Sequence, residues 1–455
     1  MTYQEAINYL ESFINYERIS TYSYRSVFRL ERMISILSLF GSPQEKFNSI
    51  HITGTKGKGS TSAMVFSILN EAGFSVGLYT SPHLVDFRER IRIARDKSWR
   101  FISEAEVVDL VEELRPKVDA LKDKPSFFEL YTILAFLFFA KNNLDFAVVE
   151  VGLGGRLDAT NVLTPLVCGI TSISFEHTDK LGYTLKSIAQ EKCGIIKEGK
   201  TVVTAPQEKE VKEVIYQTCR RKNAPLYEVG KNILFEEIAF DSKREIFRIR
   251  GIFEEYSHLE MPLLGQHQLI NASVALGIIE SLRRYEIYTP LEAVRDGFKH
   301  VFWPGRMEMV GDKPLIVLDG AQNRASAYAL KKAIRKYFFY KRLILVIGVS
   351  KDKDIKGIFE ELTEIADEIV LTKANNPRAE EPENIKSKIP LQELSTLQNS
   401  TASRDLRPEV YLTNNVIEAV DLAKEKASSE DLVLVTGSLF VVGEARKIIC
   451  SCQYV

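Results

Sequence analysis

Gly54-Thr55-Lys56-Gly57-Lys58-Gly59-Ser60 lies between a strand-like run at 49–53 and a helical pattern that starts near Thr61. Glycines expose backbone N–H groups there, and a central lysine adds charge, so the loop suits a nucleotide polyphosphate at a helix start. The spelling departs from the usual phosphate loop. Gly59 follows Lys58, and the hydroxyl that can help hold magnesium arrives one residue later, at Ser60. A plain strand-to-helix turn would share the glycines, but strand, loop and helix come here in the order a phosphate site needs. The loop therefore predicts ATP as the energy source, with Gly57, Lys58, Gly59 and Ser60 in contact with it.

Phe146-Ala147-Val148-Val149-Glu150-Val151 reads as a buried strand with a carboxylate near its C-terminal end, where open α/β sheets face their ligands. Glu150 thus stands where a metal ligand would; alternatively it caps the strand end by pairing with Arg156. Gly152 and Gly154 invite a dinucleotide reading, but no helical pattern follows promptly. The next strand, 167–173, runs into Ser174-Phe175-Glu176-His177-Thr178-Asp179. A lone histidine is more often structural than a ligand. In company with Ser81 of Thr80-Ser81-Pro82-His83-Leu84, Glu150 and His177 can surround one divalent ion beside a triphosphate.

The elements that must position these residues alternate. After amphipathic segments at 4–13 and 25–40, strands at 50–53, 76–79, 146–151 and 167–173 interleave with helices at 61–72, 104–121 and 127–140, which predicts a mostly parallel sheet covered by helices. Ser103-Glu104-Ala105-Glu106 is a capping-box pattern. Runs at 233–240 and 244–250 predict a hairpin that breaks the alternation, and a helix follows at 268–283. Trp303-Pro304-Gly305-Arg306 punctuates the chain, so the domains are placed at 1–299 and 300–455. Beyond that boundary strands at 315–318, 343–347, 368–371, 410–412 and 432–435 alternate with helices at 327–337, 416–427 and 441–449, a second and smaller Rossmann-like layer structure. Residues 374–407 read as an irregular connection.

At 455 residues the chain exceeds what one core usually supports. Sixty lysines and arginines against 61 aspartates and glutamates leave no basic field for nucleic acid. Five scattered cysteines without metal-ligand spacing read as reduced thiols of a cytoplasmic protein, and zinc is not expected. Met1-Thr2-Tyr3-Gln4-Glu5 lacks the character of a signal or presequence. The longest apolar stretch, 127–140, is interrupted by Glu129 and falls short of the ~20 residues that span a bilayer.

These motifs resemble, collinearly and across nearly the whole chain, the folate branch of the Mur-type ATP-dependent amide ligases, the folylpolyglutamate synthase and dihydrofolate synthase group. The most specific pieces are Gly54 to Ser60, Thr80-Ser81-Pro82-His83-Leu84, Glu150-Val151-Gly152-Leu153-Gly154-Gly155-Arg156-Leu157-Asp158-Ala159-Thr160-Asn161, Glu191-Lys192-Cys193-Gly194-Ile195-Ile196-Lys197, Leu264-Gly265-Gln266-His267-Gln268 with Asn271-Ala272, and Pro304-Gly305-Arg306. Thr436-Gly437-Ser438-Leu439 before Gly443-Glu444-Ala445-Arg446 completes the match. The resemblance implies an N-terminal Mur-ligase-type ATPase domain and a C-terminal glutamate-ligase domain. It implies a ligase that phosphorylates a folate or dihydropteroate carboxylate from ATP and gives the acyl group to the amine of L-glutamate. By the same resemblance Lys58, His177 and Lys192 are expected at catalytic positions, Ser81, Glu150 and His177 to hold magnesium, and Asn271, Arg306 and Asp319 to contact ATP. Ser126, Phe127, Phe128 and Glu129 with Leu157, Asp158 and Ala159 line the pterin side, and Ser438 lies on the substrate side. Lys192 matches a lysine carried as a carbamate, which would support a second magnesium; the open alternative is an unmodified surface lysine paired with Glu191. A monomer without nucleic-acid or membrane partners is expected.

The chain departs from the family pattern in several places. Asp319-Gly320-Ala321-Gln322-Asn323-Arg324 stands where the family usually has Asp-Gly-Ala-His-Asn-Pro, so an imidazole is replaced by an amide that cannot titrate. Arg324 could bind an anion in place of a first-turn proline. Lys56 replaces a common asparagine and Glu176 a common aspartate. Two rival readings remain: a Mur-type ligase for another carboxylate, and a nucleotide-binding homologue impaired by Gln322.

Overall fold

The strands up to residue 230 run Asn48–Thr53 (β1), Val76–Tyr79 (β2), Ile91–Arg95 (β3), Ser98–Phe101 (β4), Phe146–Glu150 (β5), Val167–Ile170 (β6), Thr201–Thr204 (β7) and Leu226–Glu228 (β8) in the computed structural model. It describes residues 1–17, 19, 22, 24–389 and 408–450. These strands form one sheet in the order β4-β3-β2-β5-β1-β6-β7-β8. From β2 to β8 neighbouring strands are parallel, while β3 and β4 add an antiparallel edge. The hairpin β3–β4 is missing from the sequence reading because arginines interrupt its apolar pattern: Arg92, Arg95 and Arg100 alternate with Ile91, Ile93 and Trp99.

Every residue of β5 is buried, which explains its apolar spelling up to Glu150, since a central parallel strand is covered on both faces. The helix Phe127–Lys141 is likewise buried almost all round and packs in a large aromatic and aliphatic core. Truncating a fully buried ring such as Phe136 there should cost about 3–5 kcal/mol. The expected capping box at Ser103 and Glu106 forms, and Thr2 with Glu5 and Ser126 with Glu129 form two more. The phosphate-loop helix is Lys58–Glu71, with helices Gln266–Ser281 and Leu291–Lys299 packed against it.

Leu234–Phe240 (β9), Glu245–Arg250 (β10) and Glu255–Met261 (β11) make a separate three-stranded sheet, so the expected hairpin gains a third strand. The later strands are Glu308–Asp312 (β12), Leu315–Leu318 (β13), Leu343–Ile347 (β14), Glu368–Leu371 (β15), Glu409–Leu412 (β16) and Leu432–Thr436 (β17), in the order β12-β13-β17-β14-β15-β16. All neighbours there are parallel except the β12–β13 pair. The chain divides into Met1–Ala239 with Glu245–Phe302, and Phe240–Arg244 with Trp303–Val455.

The span expected to be irregular after 374 contains the helix Pro382–Lys388, started by proline in its first turn. Its remainder, 390–407, lies outside the described residues. Cys168, Cys193, Cys219 and Cys450 carry no disulfide; Cys452 lies outside the described residues. Among the described residues no helix is long and apolar enough to cross a membrane.

Candidate nucleotide and metal site

The phosphate loop is shaped by two glycines. Gly57 is the N-cap of Lys58–Glu71 with φ 91°, and a β-carbon on it would collide with Asn271 Oδ1. Gly54, with φ 148°, leaves no room for a β-carbon against Thr171. Both need glycine because L side chains are strained at such φ values. The close approach also places Asn271 against the loop, in the orientation set by its Nδ2 donating to Gln268 Oε1 at 3.0 Å.

No side chain caps the Lys58 helix, so its first-turn N–H groups have no side-chain acceptor from Gly57. With Lys58 at the first helical position, this helix end fits an anion, through aligned N–H groups and the positive end of the dipole. Ser60 is buried in the same turn.

Glu150 ends β5 immediately beside β1, which leads into the loop. Its Oε1 lies 3.9 Å from Lys58 Nζ, and its Oε2 accepts from Ser81 N at 3.3 Å. The structure therefore joins Lys58, Ser81 and Glu150. On the other side of β1, β6 leads to His177, which caps the short helix Thr178–Leu181 in a left-handed conformation, φ 51°. A carboxylate, a hydroxyl and an imidazole would together suit a hard divalent ion that keeps phosphate and water ligands; a hydrogen bond joins the Ser81 backbone to Glu150, and His177 stands at the end of the segment that follows β6. Among the described residues no group of three or more His, Cys, Asp or Glu side chains is placed to hold a metal ion.

Lys192 is 5% exposed, and its Nζ donates to Gly54 O at 2.6 Å. Burial first, then the charges of Lys58 and Lys56, push its pKa down to about 7, against the opposing pull of Glu176 and Asp158. Lys192 is not a surface residue, and the two pairings offered as alternatives do not form. Glu191 binds Arg156 through two hydrogen bonds, of 2.8 and 3.1 Å, so it is not the partner of Lys192, and Arg156 is not the partner of Glu150. The dinucleotide reading also falls, since Gly152 to Gly155 lead only into a short 3₁₀ turn, Ala159–Val162.

Lys56 and Glu176, expected as separate departures, meet in an ion pair of 2.7 Å. Burial would raise the Glu176 carboxyl, but Lys56, with help from Lys58 and His177, holds it down at about 2. Sequence spacing could not show this pairing across 120 positions.

On the expected pterin side, Phe127 and Glu129 are 2% and 1% exposed. Phe127 packs on Tyr131, and Glu129 takes both Arg32 Nε and Nη2 while closing the Ser126 capping box. Phe128 is half-buried against Gly152. Asp158 caps the turn Ala159–Val162, accepting from Leu153 N at 2.9 Å and Thr160 N at 3.0 Å. Burial raises its pKa, opposed by these bonds. The Thr160 hydroxyl donates to Asp158, and His51 Nε2 lies 2.8 Å from that hydroxyl. The hydroxyl's own proton is committed to Asp158, which leaves its oxygen able to accept from His51 Nε2. This buried chain lacked a sequence signal, because His51 sits in an apolar strand run.

In the second unit Asp319 follows β13 and accepts from Met307 N at 3.0 Å and Ala321 N at 2.9 Å. Burial raises its pKa, and the Arg306 charge opposes the rise. Arg306 Nη1 donates to Gly305 O at 2.9 Å and crowds Gly320. Asn323 and Ser326 form a capping box for Arg324–Tyr337, and Gln322 N donates to Ser326 Oγ at 3.1 Å. Arg324 does not stand ready for an anion: its guanidinium pairs with Glu360 at 3.1 Å and Glu361 at 3.4 Å. Ser438 is the N-cap of Leu439–Ile449 and is 4% exposed.

The Mur ligase middle domain matches residues 52–279, and the Mur ligase glutamate ligase domain matches 305–439. The chain is 35% identical over 425 residues to the dihydrofolate synthase/folylpolyglutamate synthase of Bacillus subtilis, covering 92% of this chain and 94% of the relative. The crystal structure of folylpolyglutamate synthase from Thermotoga maritima matches with a TM-score of 0.83 at 32% identity, over 100% of this chain and 98% of that one. The Mycobacterium tuberculosis folylpolyglutamate synthase complexed with ADP matches with a TM-score of 0.86 at 31% identity, over 98% of both.

Proposed function

The chain belongs to the folylpolyglutamate synthase/dihydrofolate synthase branch of the Mur ligases, and from that membership we propose that it joins L-glutamate to the carboxylate of a folate or of dihydropteroate at the expense of ATP. A substrate carboxylate oxygen attacks the γ-phosphorus, the bond to the bridging oxygen breaks, and ADP leaves. The amine of glutamate then adds to the activated carbonyl carbon, nitrogen loses a proton, and phosphate departs. The observation that carries this reading is the junction of Lys58, Ser81 and Glu150 at an uncapped helix start.

Lys58 neutralises charge on the transferred phosphoryl group, and the first-turn N–H groups orient its oxygens. Ser81, Glu150 and His177 would hold magnesium, which supplies further charge neutralisation when bound. Asn271 is assigned to the nucleotide in residues 1–299, and Arg306 and Asp319 to it in residues 300–455. Half-buried Phe128 and Leu157 face the pterin, with Phe127, Glu129, Asp158 and Ala159 shaping that wall from behind. Lys192, as a carbamate, would serve a second magnesium, and its buried, depressed amine supports that modification. We take the protein to be a cytoplasmic monomer.

Product analysis tests the reading. Incubation with ATP, magnesium and L-glutamate should add one glutamyl unit to dihydropteroate, one or more to tetrahydrofolate, or both, as seen by mass spectrometry. Product with neither acceptor would favour another carboxylate substrate. ATP binding without ADP formation in any of these mixtures would favour the impaired homologue raised by Gln322.

A further inference from the structure

The backbone of the phosphate loop is tied to the segment after β6 by backbone and hydroxyl hydrogen bonds. Thr55 N and Lys56 N both donate to Ser172 O, at 2.9 and 3.2 Å, and Thr55 Oγ1 exchanges 3.1 Å hydrogen bonds with Ser174 O and Ser174 N. Lys192 Nζ adds a bond to Gly54 O from beneath. The 2.7 Å ion pair between Lys56 and Glu176 is therefore not needed to hold the two segments together. It is also partly wet, with side chains 41% and 20% exposed, so its contribution to folding is small.

Its placement gives it another consequence. Lys56 stands two residues before Lys58 on the loop, and Glu176 stands one residue before His177. The charges that act on Glu176 are Lys56, Lys58 and His177, and Lys192 feels Lys58, Lys56 and Glu176 together. Paired at 2.7 Å, Lys56 and Glu176 compensate one another's charge beside Lys58 and His177.

Resting on the phosphate-loop reading above, we propose that Lys56 and Glu176 shield one another from the two ligands of this site, so that the pair sets the balance between polyphosphate and divalent-metal affinity. A tether would strengthen both ligands together. A mutual shield makes removal of either partner act on the two ligands with opposite sign.

The test is equilibrium binding to the full chain without turnover. The β,γ-methylene analogue of ATP is titrated in EDTA by calorimetry, and Mn²⁺ is titrated without nucleotide by electron paramagnetic resonance. Glu176→Gln should bind the metal-free analogue about two- to fivefold more tightly and Mn²⁺ more weakly by a like factor, the range expected for a partly exposed pair. Lys56→Met should do the reverse. The double variant should return both ligands to within about twofold of wild type, because no unshielded charge remains. Single variants that weaken both ligands together, or change neither, overturn the shield. Lys58→Ala keeps the two failures apart: analogue binding retained in that variant overturns the underlying phosphate-loop reading instead.

Discussion

Carbamate formation at Lys192 consumes a free amine: the nitrogen lone pair bonds to the carbon of carbon dioxide, a proton leaves, and a cation becomes a carboxylate. An ordinary lysine at pH 7 is free base in about 1 molecule in 3,000. With its pKa pushed from 10.5 to about 7 by burial and by Lys58 and Lys56, about half of the Lys192 amines are free base at that pH, an advantage on the order of 10³. The new carboxylate would also lie among the two cations that disfavour the ammonium, which stabilises the product. Wild-type protein equilibrated with ¹³C-bicarbonate should give a carbamate carbonyl resonance that Lys192→Ala lacks, and that grows from about pH 6 to about pH 8. Lys192→Ala should lose ligase activity and recover part of it with added formate or acetate. No Lys192-dependent resonance in that pH range, together with an active Lys192→Ala enzyme, would exclude a carbamate at Lys192.

Lys58→Ala and Glu150→Ala should each lower kcat by about 10²-fold or more at saturating magnesium while leaving thermal unfolding near wild type, since each removes charge from the phosphoryl site; turnover near wild type would remove that residue from its role. Gln322→His should change turnover only modestly and leave the pH–rate profile unaltered if the amide acts by orientation; a large gain with a new inflection near neutrality would show that titration matters. His51 gives a pH dependence of stability. Burial lowers its pKa from 6.5 to about 3, so the unfolded chain binds a proton below 6.5 that the folded chain refuses until about 3. Stability is therefore lost as pH falls through that window, by about 2 kcal/mol at pH 5. The urea midpoint of wild type should drop more between pH 7 and pH 5 than that of His51→Gln, and equal drops would exclude this source.

Elements with strong local patterns were readable from the chain. β5 spells five apolar or strand-end residues because both faces are covered, and Ser103 with Glu106 form the box their spacing predicts. The β3–β4 hairpin was hidden because its arginines answer to tertiary surroundings: Arg92 lies over Trp99, Phe101 and Phe302, where cation–π contact replaces the apolar alternation. In the site, the loop glycines and Glu150 announce themselves through local backbone demands and strand position. Partnerships across long separations do not. Lys56 finds Glu176, Arg156 finds Glu191 and Arg32 finds Glu129 only once the sheet order β5-β1-β6 and its covering helices exist. Arg324 shows the converse, a charge at a suggestive motif position that is spent on neighbouring glutamates.

The central claim is that ATP cleavage in this chain is coupled to amide formation between a pteroate-type carboxylate and glutamate. The most direct measurement is the initial rate of ADP release from purified protein with dihydropteroate or tetrahydrofolate, each with and without L-glutamate. Rapid, sustained release is expected only when ATP, magnesium, one of these acceptors and glutamate are all present. Release that is indifferent to both acceptor and glutamate, or absent with the complete mixture, would contradict that claim.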